Sequence, residues 1–302
     1  MSVLITGGAG FIGSNLARRL NDVVVVDNLS EGRRENVPDS ATFVQQDLRD
    51  ADAVESLFKA YRFDTVYHLA AHFANQKSVE DPQMDLAVNG QVTLRLLEFA
   101  QKYGVRKFVY SSSSCIYGAL DIAMVESLPP RPETPYGISK LLGEYYVQYF
   151  HDYYGMDTTV VRYFNVFGPG EYPGPYRNVV PKFFQAALSG QPLRITGTGA
   201  ETRDFTYVDD AVDATLLAAE KSSGQIFNVG NGQSTSIHTL AESINALTSN
   251  PSPIQYVPRR DWDHIAHRKA DVSKLRALGF RPATSIADGL EKTHQWLKSV
   301  NT

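Results

Sequence analysis

The 302 residues hold one cysteine, Cys115. One thiol excludes an internal disulfide framework and a structural metal site built on several thiolates. No metal is expected, and a reducing cytoplasm suits the chain. Positive charge is not in excess either: 29 Lys and Arg stand against 33 Asp and Glu, a formal net charge of −4. That balance leaves no footprint for nucleic acid or an anionic membrane. No apolar run approaches the ~20 residues of a membrane span. With the first strand expected to open at residue 2, no secretory leader is expected ahead of it. Internal repeats and low-complexity segments are missing as well. What remains is ordinary for a globular enzyme, 43% hydrophobic and 21% charged, long enough for one large or two small domains.

The organising stretch is Met1 to Asp27. Val3, Leu4 and Ile5 form an apolar strand, and Thr6-Gly7-Gly8-Ala9-Gly10-Phe11-Ile12-Gly13 leads into a helical segment. A second apolar run, Val23 to Val26, ends at Asp27. Gly7, Gly10 and Gly13 have the G-x-x-G-x-x-G spacing of a dinucleotide site. Without β-carbons the chain turns tightly off the strand, lets a pyrophosphate approach, and packs the helix on the sheet. Free N–H groups at the helix start favour the phosphates. An acid ending the second strand accepts hydrogen bonds from the adenosine ribose and repels a 2′-phosphate, so Asp27 favours NAD over NADP. Arg33 and Arg34 stand against that preference.

Strand and helix alternate through the first half. Further strands are expected at Thr42 to Gln45, Asp64 to Leu69, Arg106 to Ser111 and Thr158 to Tyr163. Long helices are expected over about Asp81 to Tyr103 and Pro135 to Tyr154. This pattern implies an α/β fold with a doubly wound parallel sheet of the Rossmann type. Ligands on such sheets lie beyond the carboxyl ends of the strands. Asp27, Ala70, Ser111 to Ser113 and Asn165 are therefore expected to face one crevice. After Asn165 a Gly- and Pro-rich loop, Gly168 to Arg177, opens a smaller C-terminal lobe. Its helices are expected near Val179 to Ser189, Val208 to Lys221, Thr235 to Leu247 and Ile286 to Leu297. The segment around Phe227 to Gly230 is expected to return to the sheet. The domain expectation is 1–165 plus about 205–232 for the cofactor, with 166–204 and 233–302 as the substrate lobe.

Tyr136-Gly137-Ile138-Ser139-Lys140 places a phenol and an ammonium at i and i+4 on one helical face. A nearby cation lowers a tyrosine from its usual value of about 10 and makes it a general base. Ser111 to Ser113 add hydroxyls at the crevice that can hold a substrate oxygen, or cap the strand end.

The blocks TGGAGFIG, DNLS, QQDLRD, YHLAA, SSSSCIYG, YGISK, RYFNVFGPG, RDFTYVDD and FNVGNG resemble, in order and end to end, the extended short-chain dehydrogenase/reductase superfamily in its nucleotide-sugar epimerase/dehydratase branch. The resemblance implies tightly held NAD, a nucleoside-diphosphate sugar in the C-terminal lobe, with a UDP-sugar the expected one, and a homodimer formed through a four-helix bundle. It assigns Gly7, Gly10, Phe11, Ile12 and Gly13 to the pyrophosphate loop and Asp27 and Asn28 to the adenosine ribose. Asp47 and Leu48 then flank the adenine, and Ala70 and Ala71 line the cleft. Ser113 aligns with the catalytic Ser/Thr, Tyr136 with the base, and Lys140 with the ligand of the nicotinamide ribose. Asn165, Asn178, Arg203 and Arg260 are assigned to the diphosphate, and Asp263 to the nucleoside ribose. Arg203 could instead pair with Asp204, and which of Arg259 and Arg260 turns inward is left open.

The same resemblance bears on the reaction. Dehydratases and decarboxylases of the branch carry an acid beside the catalytic hydroxyl, where this chain has Ser114 and Cys115. The expectation is epimerisation at C4 of a UDP-hexose or UDP-hexuronate through a 4-keto sugar. Ser113 to Tyr117 is also similar to GDP-sugar 3,5-epimerases and GDP-fucose synthase, in which the Cys is an acid/base. Their second group is unmatched in Arg177 to Pro181, so Cys115 is expected to be packed at a strand end. Nucleotide-sugar 4,6-dehydration and NADPH-dependent reduction of a ketone are competing activities for the same fold. The Lys that hexose 4-epimerases carry after the His-x-Ala-Ala block is also unmatched; Phe73 lies there, with Lys77 further on.

Overall fold

In a computed structural model, residues 2–300 are described. Met1, Asn301 and Thr302, which the expected domain bounds include, lie outside the described residues. The first strands are β1 (Ser2–Thr6), β2 (Val23–Asp27), β3 (Thr42–Gln45), β4 (Phe63–His68), β5 (Lys107–Ser113) and β6 (Asp157–Tyr163). They pair in parallel, joined at one edge by β11 (Gln225–Val229), in the order β11-β6-β5-β4-β1-β2-β3. The chain reverses direction across the sheet between β1 and β4, and there a parallel sheet opens a crevice beyond its carboxyl ends.

Both faces of the sheet are covered, which is why its strands read as continuous apolar runs. In β2 all five residues are buried: Val24 and Val26 pack to one side, Val23 and Val25 to the other. One side holds α2 (Ala51–Ala60), α5 (Val92–Lys102) and α6 (Pro135–Tyr154), through Leu57, Phe58, Leu96, Leu97, Val147 and Phe150. The other holds α1 (Phe11–Ala17) and α8 (Val208–Lys221), through Leu16, Ala211, Val212 and Ala218.

The expected helix from Asp81 to Tyr103 is present, helical from Pro82 through Lys102, but it contains a π-helical stretch and has a separate short helix ahead of it. A short α3 (Asn75–Glu80) stops at Asp81, whose carboxylate accepts from Met84 N and caps α4 (Pro82–Asp85). A π-helical stretch (Leu86–Gln91) follows before α5. Pro82 sits at the first turn of α4, where its missing N–H costs nothing. Strand β5 also runs two residues further than expected, through Ser113. Thr235 and Ser236 form a short strand instead of opening the next helix, and the Ser236 hydroxyl caps α9 (Ile237–Thr248) by accepting from Thr239 N.

The rest of the C-terminal part is made of small pieces. β7 (Val166–Phe167) pairs with β10 (Thr206–Tyr207), and β8 (Leu193–Thr196) with β13 (Ile254–Val257). β9 (Thr202–Arg203) lies between β12 (Thr235–Ser236) and β14 (His267–Arg268). α7 (Val179–Leu188), α9, α10 (Ser273–Ala277) and α11 (Ile286–Val300) complete it. Among the described residues no helix is long and apolar enough to cross a membrane.

Candidate active site

The crevice at the strand ends is a cleft of about 600 Å³. Its floor is the β1–α1 turn. A β-carbon on Gly7, at φ +70°, would lie 2.6 Å from Ala70 N, and one on Gly13 would lie 2.4 Å from Gly7 O. Only glycine fits at either position, because backbone meets backbone there. Gly10, Phe11, Ile12, Asp27, Asn28, Asp47, Leu48, Ala70 and Ala71 line the same cleft. Asp27 is 9% exposed and accepts from Ala9 N at 3.1 Å and Leu29 N at 2.8 Å. Burial raises its carboxyl above the usual range, while the amides of Leu29, Ala9 and Gly10 pull it back. Asp47 is held by Arg49 at 2.7 Å and accepts from Asn28 at 3.2 Å. The Arg49 hydrogen bond lowers its carboxyl to about 2. Arg33 stacks over the Tyr172 ring at 3.7 Å and Arg34 over Phe43 at 4.8 Å, so both cations are engaged away from Asp27.

The three serines make different contacts, and alternation along the strand puts Ser111 and Ser113 on one face and Ser112 on the other. Ser111 gives its carbonyl to Lys140 Nζ at 2.8 Å. The Ser112 hydroxyl turns inward and donates to Glu144. Ser113 lines the cleft, its hydroxyl accepting from Cys115 N at 3.1 Å and hydrogen-bonding Tyr136. Capping and site-lining therefore fall on the same residue.

Tyr136 and Lys140 are 6% and 2% exposed. The ammonium stands 5.9 Å from the centre of the Tyr136 ring. The expectation that lysine lowers this phenol is corrected by the structure. Burial raises Tyr136, Cys115 and Asp85 act in the same direction, and the Ser113 bond only partly offsets them. Lys140 is itself pushed down to about 8 by burial, with Asp85 and Glu144 pulling it back up. In a site this dry, desolvation outweighs an ammonium that is not in contact with the hydroxyl. Phe73, in place of the unmatched Lys, packs edge-on to Tyr136 at 5.9 Å, and Lys77 pairs with Glu31 at 2.7 Å.

A second cavity adjoins the first through Asn165, Arg177, Asn178 and Arg268. Arg203, Arg260 and Asp263 line it. Arg203 is not paired with Asp204. It donates to the carbonyls of Thr202, Ala266 and Ile265 at 2.8–3.1 Å, while Asp204 accepts from the amides of Asn231, Gly232 and Ala270. Burial first, and Arg268 second, depress Arg203 to about 10. Arg259 reaches the Ile265 carbonyl at 2.9 Å, whereas Arg260 is exposed over Trp262.

Cys115 corrects a second expectation. The 3₁₀ turn after β5 leaves it half-buried and facing the cleft, with Asn75 Nδ2 and Arg268 Nη1 each 3.5 Å from Sγ.

Sequence reasoning missed three cleft residues, His72, Glu171 and Arg268. Buried polar atoms without a hydrogen-bond partner include His72 Nδ1, Asn165 Oδ1, Glu171 Oε2, and Arg268 Nε and Nη2, and all four residues line this cleft. Unsatisfied groups gathered in one cavity mark where a ligand is received. Glu171, in the Gly/Pro loop, is 4% exposed and accepts from Asn178 Nδ2 at 3.2 Å. Burial pushes its carboxyl up to about 7, against the pull of Arg177, Asn178 and Lys182. A raised folded value means stability that is full below the unfolded value and lost as pH rises through about 7. The shift corresponds to roughly 3 kcal/mol. Glu171→Gln is therefore expected to melt above the wild type at pH 8, with the gap closing by pH 5. A gap that is constant over that range would exclude Glu171 as the titrating group.

The family described as "NAD dependent epimerase/dehydratase" matches residues 3–230. The chain belongs to that family. It is 36% identical to a UDP-glucose 4-epimerase of Mycolicibacterium smegmatis, over 99% of each chain. The fold superposes with a TM-score of 0.97 on a Thermotoga maritima UDP-glucose 4-epimerase solved with UDP-glucose, 37% identical over 100% of both chains. An epimerase of Methanothermobacter thermautotrophicus gives a TM-score of 0.94 at 44% identity, over 99% of this chain and 92% of that one. Epimerases of this family use NAD, and the glycine floor of the cleft fits such a cofactor.

Proposed function

We propose that this chain interconverts the C4 epimers of a UDP-hexose or UDP-hexuronate with bound NAD. The observation that carries the reading is one cleft with a glycine floor at one end and Ser113, Tyr136 and Lys140 at the other. Beside Ser113 stand Ser114 and Cys115 in place of an acid. NAD bound there supplies a reversible hydride acceptor, so that oxidation at C4 and reduction on the opposite face invert that carbon. In this reading Gly7, Gly10, Phe11, Ile12 and Gly13 hold the pyrophosphate. Asp27 and Asn28 take the adenosine ribose, Asp47 and Leu48 the adenine, and Ala70 and Ala71 the wall of the cleft. The Tyr136 phenolate removes the C4 hydroxyl proton and later returns it, Ser113 holds the same oxygen, and Lys140 orients the nicotinamide ribose. Because burial raises Tyr136, the phenol needs added positive charge in the loaded cleft to act as a base. Asn165, Asn178, Arg203 and Arg260 receive the diphosphate and Asp263 the nucleoside ribose. The uridine assignment draws on the UDP-glucose held by the T. maritima relative.

The test is to incubate the protein, with no added cofactor, with UDP-glucose, UDP-N-acetylglucosamine, UDP-glucuronate and GDP-mannose in D2O, following each by NMR. A C4 epimer of a UDP-sugar without deuterium at C3 or C5 supports the reading; no product from any of the four overturns it. The second reading, inversion at C3 or C5, is favoured by the orientation of Cys115 into the cleft, and deuterium at those carbons would establish it instead.

We further read the protein as a cytoplasmic homodimer. On α6, Ile138, Tyr145, Tyr149 and Tyr153 are 48–70% exposed along one helical stripe, with Leu86 of the π-helical stretch 41% exposed. An apolar stripe of this kind suits a second copy packing two helices against two. Light scattering should return twice the mass of one chain, and Tyr149→Asp with Tyr153→Asp should halve it. A monomeric wild type would refute the bundle.

A further inference from the structure

Arg268 is one of the buried cleft groups, with His72 and Glu171, that the proposed reaction leaves unused. It is 6% exposed on β14, lines both cavities, and its Nε and Nη2 have no hydrogen-bond partner. Its Nη1 has only the Cys115 sulfur, 3.5 Å away and a weak acceptor. Arg162 is the contrast. Also buried, at 3% exposed, it forks onto both oxygens of Glu144 at 2.9 and 2.7 Å and donates to Tyr117 and the Glu126 carbonyl. For the Arg162 guanidinium the fold supplies a buried carboxylate. Arg268 has none within ion-pair distance among the described residues.

Its neighbour adds to the imbalance. β14 pairs in parallel with β9, Arg268 opposite Arg203, so two guanidiniums share one face of a small sheet. Like charges across a ladder repel. Arg203 is fixed by three carbonyls on the side of the second cavity. Arg268 points the other way along the cleft. Cys115 links it to Asn75, and Asn75 Oδ1 accepts from the Thr134 hydroxyl at 2.8 Å, at the cap of the helix that carries Tyr136. Arg268 thus stands at the end of the site where the reacting sugar meets Tyr136, beyond the group assigned to the diphosphate.

We propose that Arg268 is the specificity-determining residue of the sugar site and takes a carboxylate borne by the sugar, making the substrate a UDP-hexuronate and not a neutral hexose. A guanidinium fork matches a carboxylate in two parallel hydrogen bonds. A neutral hydroxymethyl group would leave the buried donors unfilled, which is how a polar site rejects an analogue. The inference rests on the C4-epimerase reading of the same cleft.

The test uses the NAD-loaded protein and compares kcat/KM for UDP-glucuronate and UDP-glucose in the wild type, Arg268→Met and Arg268→Lys. The wild type should favour the uronate by about 100-fold or more. In Arg268→Met the ratio should collapse to within about threefold of unity, and Arg268→Lys should fall between. A ratio within one variant cancels any loss of folded protein. A wild-type ratio at or below unity overturns the proposal. So does an Arg268→Met variant that weakens both substrates alike, since Arg268 would then serve the diphosphate. If neither these two sugars nor UDP-N-acetylglucosamine is epimerised, the C4 reading fails by itself, and calorimetric binding of UDP-glucuronate and UDP-glucose then judges Arg268. Tighter uronate binding that disappears in Arg268→Met supports it, and equal binding overturns it.

Discussion

Tyr136→Phe should lower turnover by about 10³-fold, within the range that a positioned acid/base supplies, while NAD stays bound and the fold intact. The phenolic oxygen is the only heavy atom removed. The ring keeps its place because it is 6% exposed, packs edge-on to Phe73 at 5.9 Å, and belongs to a helix whose Tyr136 N donates to Ser78 Oγ at 3.1 Å. Loss of binding is therefore not the expected cause of the defect. NMR turnover assays on the variant, with the nicotinamide absorbance of the purified protein as the check on cofactor, separate the two. Turnover within tenfold of wild type would remove Tyr136 as the base and leave the proposed chemistry without one.

Glu144→Ala should cost about 3–5 kcal/mol of stability, as breaking one side of a buried ion pair does. Glu144 and Arg162 are each 3% exposed and meet at 2.7 Å across α6 and β6. Burial alone would depress Arg162; the Glu144 carboxylate reverses that and raises it. Without Glu144 the guanidinium stays buried and loses its compensation. The pair also ties the sheet together beneath the site, because Ser112 donates to Glu144, Arg162 donates to Tyr117, and Tyr117 donates to Asn228 of β11 at 2.8 Å. Urea denaturation measures the effect. Replacing both partners by apolar residues of similar volume should recover most of the loss, and a loss below about 1 kcal/mol in the single variant would show the charge to be hydrated after all.

Much of the fold was legible because a doubly wound sheet has a plain signature. The unbroken Val23 to Val26 run reads as a strand covered on both faces, and the glycines after Ile5 read as a turn too tight for side chains. The π-helical stretch inside the Asp81–Tyr103 helix was not legible. Nothing in the periodicity of Leu86, Leu94 and Leu97 signals it, and within it Asn89 donates to the buried Asp85 carboxylate at 2.9 Å. The orientation of Cys115 is not legible for a similar reason: a strand-end thiol usually packs inward, and the 3₁₀ turn with Asn75 and Arg268 beside the sulfur holds it toward the cleft.

The sequence by itself determined the fold class, the family and the side chains available for chemistry, because spacing and strand order are local properties that survive without coordinates. Tertiary structure alone decided what each charge experiences. Tyr136 and Lys140 are four residues apart in any helix, but whether the ammonium or the dryness of the site governs the phenol depends on how deeply α6 is buried. Arg162 and Arg268 look alike in the chain. One is neutralised by Glu144 and the other is left facing the cleft, and that difference is set by which strands and helices come to surround them.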